Sequence, residues 1–283
     1  MIRRAVIILV LVAGGTPLFA AGRVECSTVK SVRMKADVSF CAFLPPAYDA
    51  KNKQKFPVLY LLHGLGDNHE SLINTGSWNM VERLQEQKKI GEMIIITPNA
   101  GRSFYINSKN GRVPYDDFFI REFMPAMEKR FRIGTTRAQR GISGISMGGY
   151  GALRFAFKYP QMFAAVSAHA PALIERMPKG AEHAGIVRIT GTAFGVPFDS
   201  AFWERNTPFF YARTFRPNGL KIYFDCGDRD DYGFEAGARA LDKLLTTRKL
   251  THAAHIYPGN HSWGYFADHL DESLEFQSKA LGA

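Results

Sequence analysis

Residues 141–151 read Gly141-Ile142-Ser143-Gly144-Ile145-Ser146-Met147-Gly148-Gly149-Tyr150-Gly151, with the triplet Gly-Ile-Ser twice in tandem. Ser146 sits in Gly144-Ile145-Ser146-Met147-Gly148, a match to G-x-S-x-G. That pattern is a sharp strand-to-helix turn that lifts a serine hydroxyl above a sheet. The turn is so tight that side chains two residues before and after the serine would collide, so both must be small. Ser146 has Gly144 and Gly148 there, whereas Ser143 has Gly141 before it and Ile145 after it, inside an apolar run. Ser146 is therefore the candidate nucleophile and Ser143 its buried neighbour. The bland alternative is a flexible Gly-rich turn. The apolar strand before it and the helix-forming Tyr150-Gly-Ala-Leu-Arg-Phe-Ala-Phe157 after it weigh against that.

Working outward, short apolar runs rich in β-branched residues predict buried strands at Val38–Leu44, Val58–Leu62, Met93–Thr97, Gly141–Ile145, Ala164–Ala168, Leu220–Asp225 and Ala253–Tyr257. Helical stretches fall between them at Ser77–Lys89, Asp116–Phe131, Gly149–Tyr159, Glu235–Lys249 and Ser262–Ala280. From Phe56 onward strand and helix alternate, which predicts an α/β fold with a mostly parallel sheet covered by helices on both faces. An antiparallel hairpin before it forms one edge. Residues 171–219 break the rhythm, with Pro178, Pro197 and Pro208 in the interior and an aromatic group that includes Phe194, Phe198, Phe202, Trp203, Phe209, Phe210 and Tyr211. The segment reads as an irregular, cap-like insertion over the carboxyl edge of the sheet. Core packing is the expected role of most of these rings taken singly.

A serine hydroxyl needs a base to take its proton and an acid to orient that base. In a strand–turn–helix architecture of this kind the chain order is Ser, then Asp or Glu, then His. After the strand ending at Asp225 comes Cys226-Gly-Asp-Arg-Asp-Asp-Tyr-Gly233, so this turn offers four carboxylates: Asp225, Asp228, Asp230 and Asp231. After Tyr257 comes Pro258-Gly-Asn-His261-Ser-Trp263, which places His261 in the loop where a base belongs. Oxyanion donors are expected from the N–H of Met147 and from the loop His63-Gly64-Leu65-Gly66-Asp67 after an early strand. His63, Tyr105 and Trp263 are candidate substrate contacts, against the alternative of a core role for each.

The rest of the chain bounds the setting. In 283 residues, Arg3 and Arg4 precede an apolar run, Ala5–Ala13, and Ala20-Ala21-Gly22 follow, the layout of a secretory signal cleaved after Ala20 or Ala21. The run is too short to span a bilayer, so no stable membrane anchor is expected and the mature domain is 22–283, secreted or periplasmic. Export permits disulfides; Cys26 and Cys41 would be a bridge across the hairpin or two free thiols, and the count of three leaves one over. The formal charge of +10 suits anionic surfaces, but no nucleic-acid motif accompanies it. No metal or cofactor is expected, since H-E-x-x-H, C-x-x-C, Walker and Rossmann patterns are all missing. Oligomeric state is not written in the sequence.

With those residues in hand, the chain resembles the esterase D-like α/β-hydrolases, which include feruloyl and other carbohydrate esterases, tributyrin-type esterases, S-formylglutathione hydrolase and the mycolyltransferases. The resemblance runs through Val38–Tyr48, Leu59-Tyr-Leu-Leu-His-Gly-Leu-Gly-Asp67, Thr97-Pro-Asn-Ala-Gly-Arg-Ser-Phe-Tyr105, Gly144–Leu153, Asp225–Asp230 and Gly259–Phe266. It implies an α/β-hydrolase fold and a serine carboxylesterase acting on small-molecule or carbohydrate-linked esters through an acyl-enzyme. It further implies Asp230 as the acid and Leu65 as the early oxyanion donor. Acyl transfer from the same intermediate, thioester hydrolysis and a binding protein on a hydrolase fold are the alternatives. His63-Gly-Leu-Gly differs from the Ser-Gly-Leu-Thr-Cys form that marks S-formylglutathione hydrolases.

Overall fold

The computed structural model describes residues 22–49, 53–177, 190, 193–216 and 218–283. The signal-like segment 1–21 lies outside the described residues. β1 (Arg23–Ser31) and β2 (Ala36–Leu44) form the expected antiparallel hairpin. β3 (Val58–Leu62), β4 (Ile94–Pro98), β5 (Arg140–Ile145), β6 (Ala165–His169), β7 (Lys221–Gly227) and β8 (Ala253–Tyr257) follow. Together they make an eight-stranded sheet in the order β1-β2-β4-β3-β5-β6-β7-β8. β2 meets β4 antiparallel, and every pairing from β4 to β8 is parallel. β3, β4, β5 and β6 are buried along their whole length, as strands covered on both faces must be.

The chain runs outward from β3 to β4 and then returns to the other side of β3 as β5. That reversal opens a crevice beyond the carboxyl ends of β3 and β5, the usual place for a site in an open α/β sheet. Because β3, β5, β7 and β8 are parallel, the loops after Leu62, Ile145, Gly227 and Tyr257 all emerge at this one edge.

Helices cover both faces: α1 (Ser71–Asn74), α2 (Ser77–Glu86), α3 (Tyr115–Phe118), a π-helical turn (Phe119–Phe123) leading into α4 (Met124–Arg130), and α5 (Met147–Lys158). α2 stops short of the predicted Lys89 because Lys88 turns left-handed at φ 55°. Residues 171–219 are less irregular than expected where described. They hold α6 (Ser200–Asn206) and α7 (Pro208–Thr214). Asp199 caps α6 by accepting the Phe202 N–H at 2.7 Å, and Thr207 caps α7 by accepting the Phe210 N–H at 3.1 Å. Pro208 at the first turn of α7 costs nothing, since that position has no hydrogen-bonded N–H to lose. Phe194, Phe198, Trp203 and Phe209 are buried, as core rings should be. α8 (Phe234–Thr247) and α9 (Trp263–Leu281) complete the layers.

One buried ionic cluster ties these parts together. Arg154 of α5, 2% exposed, donates to Asp116 at 2.6 Å, and Asp116 also accepts from Lys158 and Tyr159. The second Arg154 amine donates to Asn206 Oδ1 at 3.0 Å, and Tyr150 Oη donates to the Asn206 carbonyl at 2.7 Å. The end of α6 is thereby pinned to the helix that follows Ser146.

Cys26 and Cys41 face each other in the β1–β2 register and are joined as a disulfide; Cys226 is a buried free thiol. The bridge staples the edge hairpin. Opening it by Cys26→Ala/Cys41→Ala is expected to lower stability by about 3 kcal/mol, given a loop of roughly 15 residues. Urea melts of the oxidised protein and the double variant measure this.

Candidate active site

The turn between β5 and α5 places Ser146 at φ 54°, ψ −115°, a conformation a side-chain-bearing residue adopts only under constraint. The constraint is visible on either side. A Cβ at Gly144 would lie 2.2 Å from Gly148, and one at Gly148 would lie 2.0 Å from the Leu62 carbonyl oxygen of β3. The two glycines thus let the turn close on itself and on the neighbouring strand. The Ser146 N–H donates to His169 O of β6 at 2.9 Å, and its carbonyl accepts from Tyr150 N and Ala172 N, both at 3.0 Å. With every backbone polar group satisfied, the strained residue is held firmly. Ser143 lies buried in β5, accepting from Ser167 at 2.8 Å, as expected of the neighbour.

The structure brings Ser146, His261 and Asp230 into one chain of contacts. His261 Nε2 lies 2.9 Å from Ser146 Oγ, and its Nδ1 lies 2.6 Å from Asp230 Oδ2. Asp231 is different: its carboxylate accepts the backbone N–H of His261 at 3.1 Å, so it holds the loop and does not reach the ring. Asp228 accepts the Gly259 N–H at 3.0 Å, and Asp225 is fully buried beside His169 and Tyr265. Asp230 is 7% exposed. Burial pushes its carboxyl pKa upward, but the hydrogen bond and charge of His261, with the N–H groups of Tyr232 and Phe234, outweigh it and hold the acid below the usual range. It stays ionised wherever imidazole titrates.

Sequence reasoning missed the packing around His261. The rings of Tyr232, Phe234 and Phe266 stand nearly perpendicular to the His261 imidazole, with centroids 4.9, 5.5 and 5.3 Å away. They flank Asp230 and His261 in sequence, and that proximity was the available signal.

Ser146 and His261 open onto a cavity of about 820 Å³. Leu65 and Met147 lie on its wall, and among the described residues neither amide meets a backbone acceptor. Met147 opens α5, so its N–H also carries the positive end of the helix dipole. Trp263 lines the cavity as expected, as does Trp203 of the cap-like insertion, together with Phe104 and Tyr150, which the sequence did not single out for the site. Two expected substrate contacts are corrected. Tyr105 is fully buried, its hydroxyl donating to the His63 carbonyl at 3.0 Å. His63 is 6% exposed, with both ring nitrogens occupied by backbone partners. Neither side chain reaches the cavity. Among the described residues no cluster suited to a metal ion is present.

Residues 31–276 match the family model described as "Putative esterase". The chain belongs to this esterase family. It is 28% identical over 240 residues to an esterase of Mycobacterium tuberculosis, a match covering 77% of this chain and 51% of the relative. The chain thus spans about half the length of that curated relative. An acetyl esterase of Caldicellulosiruptor saccharolyticus is 26% identical over 262 residues, covering 88% of this chain and 96% of that one. Among solved structures, a ferulic acid esterase superposes with a TM-score of 0.79 at 26% identity, covering 93% of this chain and 99% of the other. The fold is that of the α/β-hydrolases.

Burial lowers the His63 pKa from the ordinary imidazole value of 6.5 to about 4. The unfolded chain therefore binds a proton between those values that the folded protein refuses. Stability is full above pH 6.5 and falls as the pH drops towards 4, by about 3 kcal/mol from this residue. Urea melts from pH 7.5 to 4.5 should show a shallower loss in His63→Asn than in the parent protein.

Proposed function

We propose that the protein is an exported serine carboxylesterase working through Ser146, His261 and Asp230. The observation that carries this reading is the continuous contact chain from Ser146 Oγ through His261 to Asp230 Oδ2 at the mouth of a cavity. His261 Nε2 takes the Ser146 hydroxyl proton as Oγ attacks the ester carbonyl carbon. The carbonyl oxygen gains negative charge and is met by the N–H groups of Leu65 and Met147. As the tetrahedral adduct collapses, His261 returns the proton to the leaving alcohol. Water, deprotonated by the same imidazole, then releases the acid and frees Ser146. Asp230 accepts the Nδ1–H throughout, fixing the ring orientation and stabilising its cationic form.

Membership of the esterase family and the likeness to an acetyl esterase and a ferulic acid esterase support ester hydrolysis as the reaction. The cavity wall carries Trp263, Trp203, Phe104 and Phe234, which suit an acyl or aryl group, together with the charged side chains Asp67, Glu175 and Arg176. Export draws support from the Cys26–Cys41 disulfide, which persists in an oxidising compartment. Among the described residues no helix is long and apolar enough to cross a membrane. Substrates are small-molecule or carbohydrate-linked esters, and nucleic acid plays no part in this reading.

Hydrolysis of p-nitrophenyl acetate by the purified protein tests this. Ser146→Ala is expected to lower kcat by at least about 1,000-fold. Asp230→Asn, which leaves the imidazole in the wrong tautomer, is expected to lower it by about 1,000- to 10,000-fold. Asp231→Asn keeps an oxygen for the His261 N–H and should stay within about a factor of ten. Equal losses in the two aspartate variants would sink the assignment of the acid.

A further inference from the structure

The loop Asn99–Ile106 carries two consecutive aromatic residues, Phe104 and Tyr105, at φ 51° and 56°. Bulky side chains rarely occupy this left-handed region, and each instance is strained. Such strain persists only where surrounding contacts enforce it. Here the contacts converge on His63 and Gly64. The Ala100 N–H donates to His63 Nε2 at 2.9 Å. A backbone N–H can only donate, so Nε2 carries the lone pair and Nδ1 carries the proton. Nδ1 then donates to the Gly64 carbonyl at 2.7 Å. Tyr105 Oη donates to the preceding carbonyl, that of His63, at 3.0 Å. Two successive carbonyls of one loop are thereby pinned.

The Gly64 carbonyl and the Leu65 N–H belong to a single planar trans peptide, in which C=O and N–H point in opposite directions. Fixing the carbonyl against His63 therefore aims the Leu65 N–H the other way, where Leu65 lines the cavity beside Ser146. A Cβ built on Gly64 would lie 3.7 Å from the Ser146 Cβ, which sets how near this peptide comes to the nucleophile. A hydrogen bond accepted at the carbonyl also polarises the amide and strengthens the N–H as a donor. The brace is fastened to the second oxyanion donor as well. The Tyr105 ring packs against Gly151 of α5 so closely that a Cβ there would lie 2.6 Å from it, and α5 begins at Met147.

We infer that His63 and Tyr105 are positioning residues for ester hydrolysis, which set the plane of the Gly64–Leu65 peptide and so the aim of the Leu65 oxyanion donor. This rests on the esterase reading for its catalytic consequence, though not for its geometry. Tyr105→Phe removes one hydroxyl and leaves the ring packing intact. It is expected to lower kcat for p-nitrophenyl acetate about 5- to 20-fold, and His63→Leu about 30- to 100-fold, with KM within about twofold, because the donor acts on the transition state. His63→Asn, whose amide nitrogen stands in for Nδ1, should recover at least about tenfold over His63→Leu. Backbone ¹⁵N relaxation supplies a readout independent of turnover: the Leu65 amide, ordered in the parent protein, should show exchange broadening in Tyr105→Phe. Parental kcat and Leu65 relaxation in Tyr105→Phe would overturn the inference, as would losses of kcat with Leu65 equally ordered. A parent protein that hydrolyses no ester overturns the esterase reading, and the Leu65 relaxation comparison then decides the brace by itself.

Discussion

The crowding around Ser146 is the constraint on which the rest of the molecule depends. A residue at φ 54°, ψ −115° is held there by three backbone hydrogen bonds and by two glycines that leave no room for a side chain. If that turn relaxes, Oγ drops towards the sheet, the Met147 amide rotates, and α5 leaves β5 at another angle. The contacts come from β3, through the approach of Gly148 to Leu62, and from β6, through the His169 carbonyl. The Ser146 turn is therefore built by three adjacent strands, and the parallel register that aligns them fixes where Oγ stands.

The charges are arranged as economically as the strands. One buried carboxylate faces the imidazole, the N-terminus of α5 follows Ser146 directly, and the rings of Tyr232 and Phe266 stand perpendicular to that of His261. Low polarity around the ring strengthens the Asp230 contact, and His261, followed by the N–H groups of Tyr232 and Phe234, holds that carboxyl below its usual range.

Most of this was readable in the sequence wherever a residue type had only one physical use. Gly144 and Gly148 around a serine, an apolar strand before it and a helix after it leave few alternatives. The order of carboxylate and histidine along a parallel sheet then located the other loops. The choice between Asp230 and Asp231 was not readable from spacing, because adjacent residues differ only in which way the turn points them; one meets the ring and the other the backbone. His63 and Tyr105 were placed near the site and given the wrong partner. Polar aromatic side chains near a catalytic loop bind backbone carbonyls as readily as ligands, and composition does not distinguish the two. The helices within residues 171–219 were hidden by prolines, although Thr207-Pro208 is a regular way to begin one.

The pinning of Asn206 bears on how such a protein can diversify. The insertion helix α6 supplies Trp203 to the cavity, and its end is fastened to a guanidinium that is otherwise enclosed. A lineage that exchanged this segment for another would leave one Arg154 amine without its Asn206 acceptor, while the other keeps Asp116. Exchange of this segment is thus felt directly in the helix that follows Ser146, because Asn206 and Arg154 share one contact between the insertion and that helix.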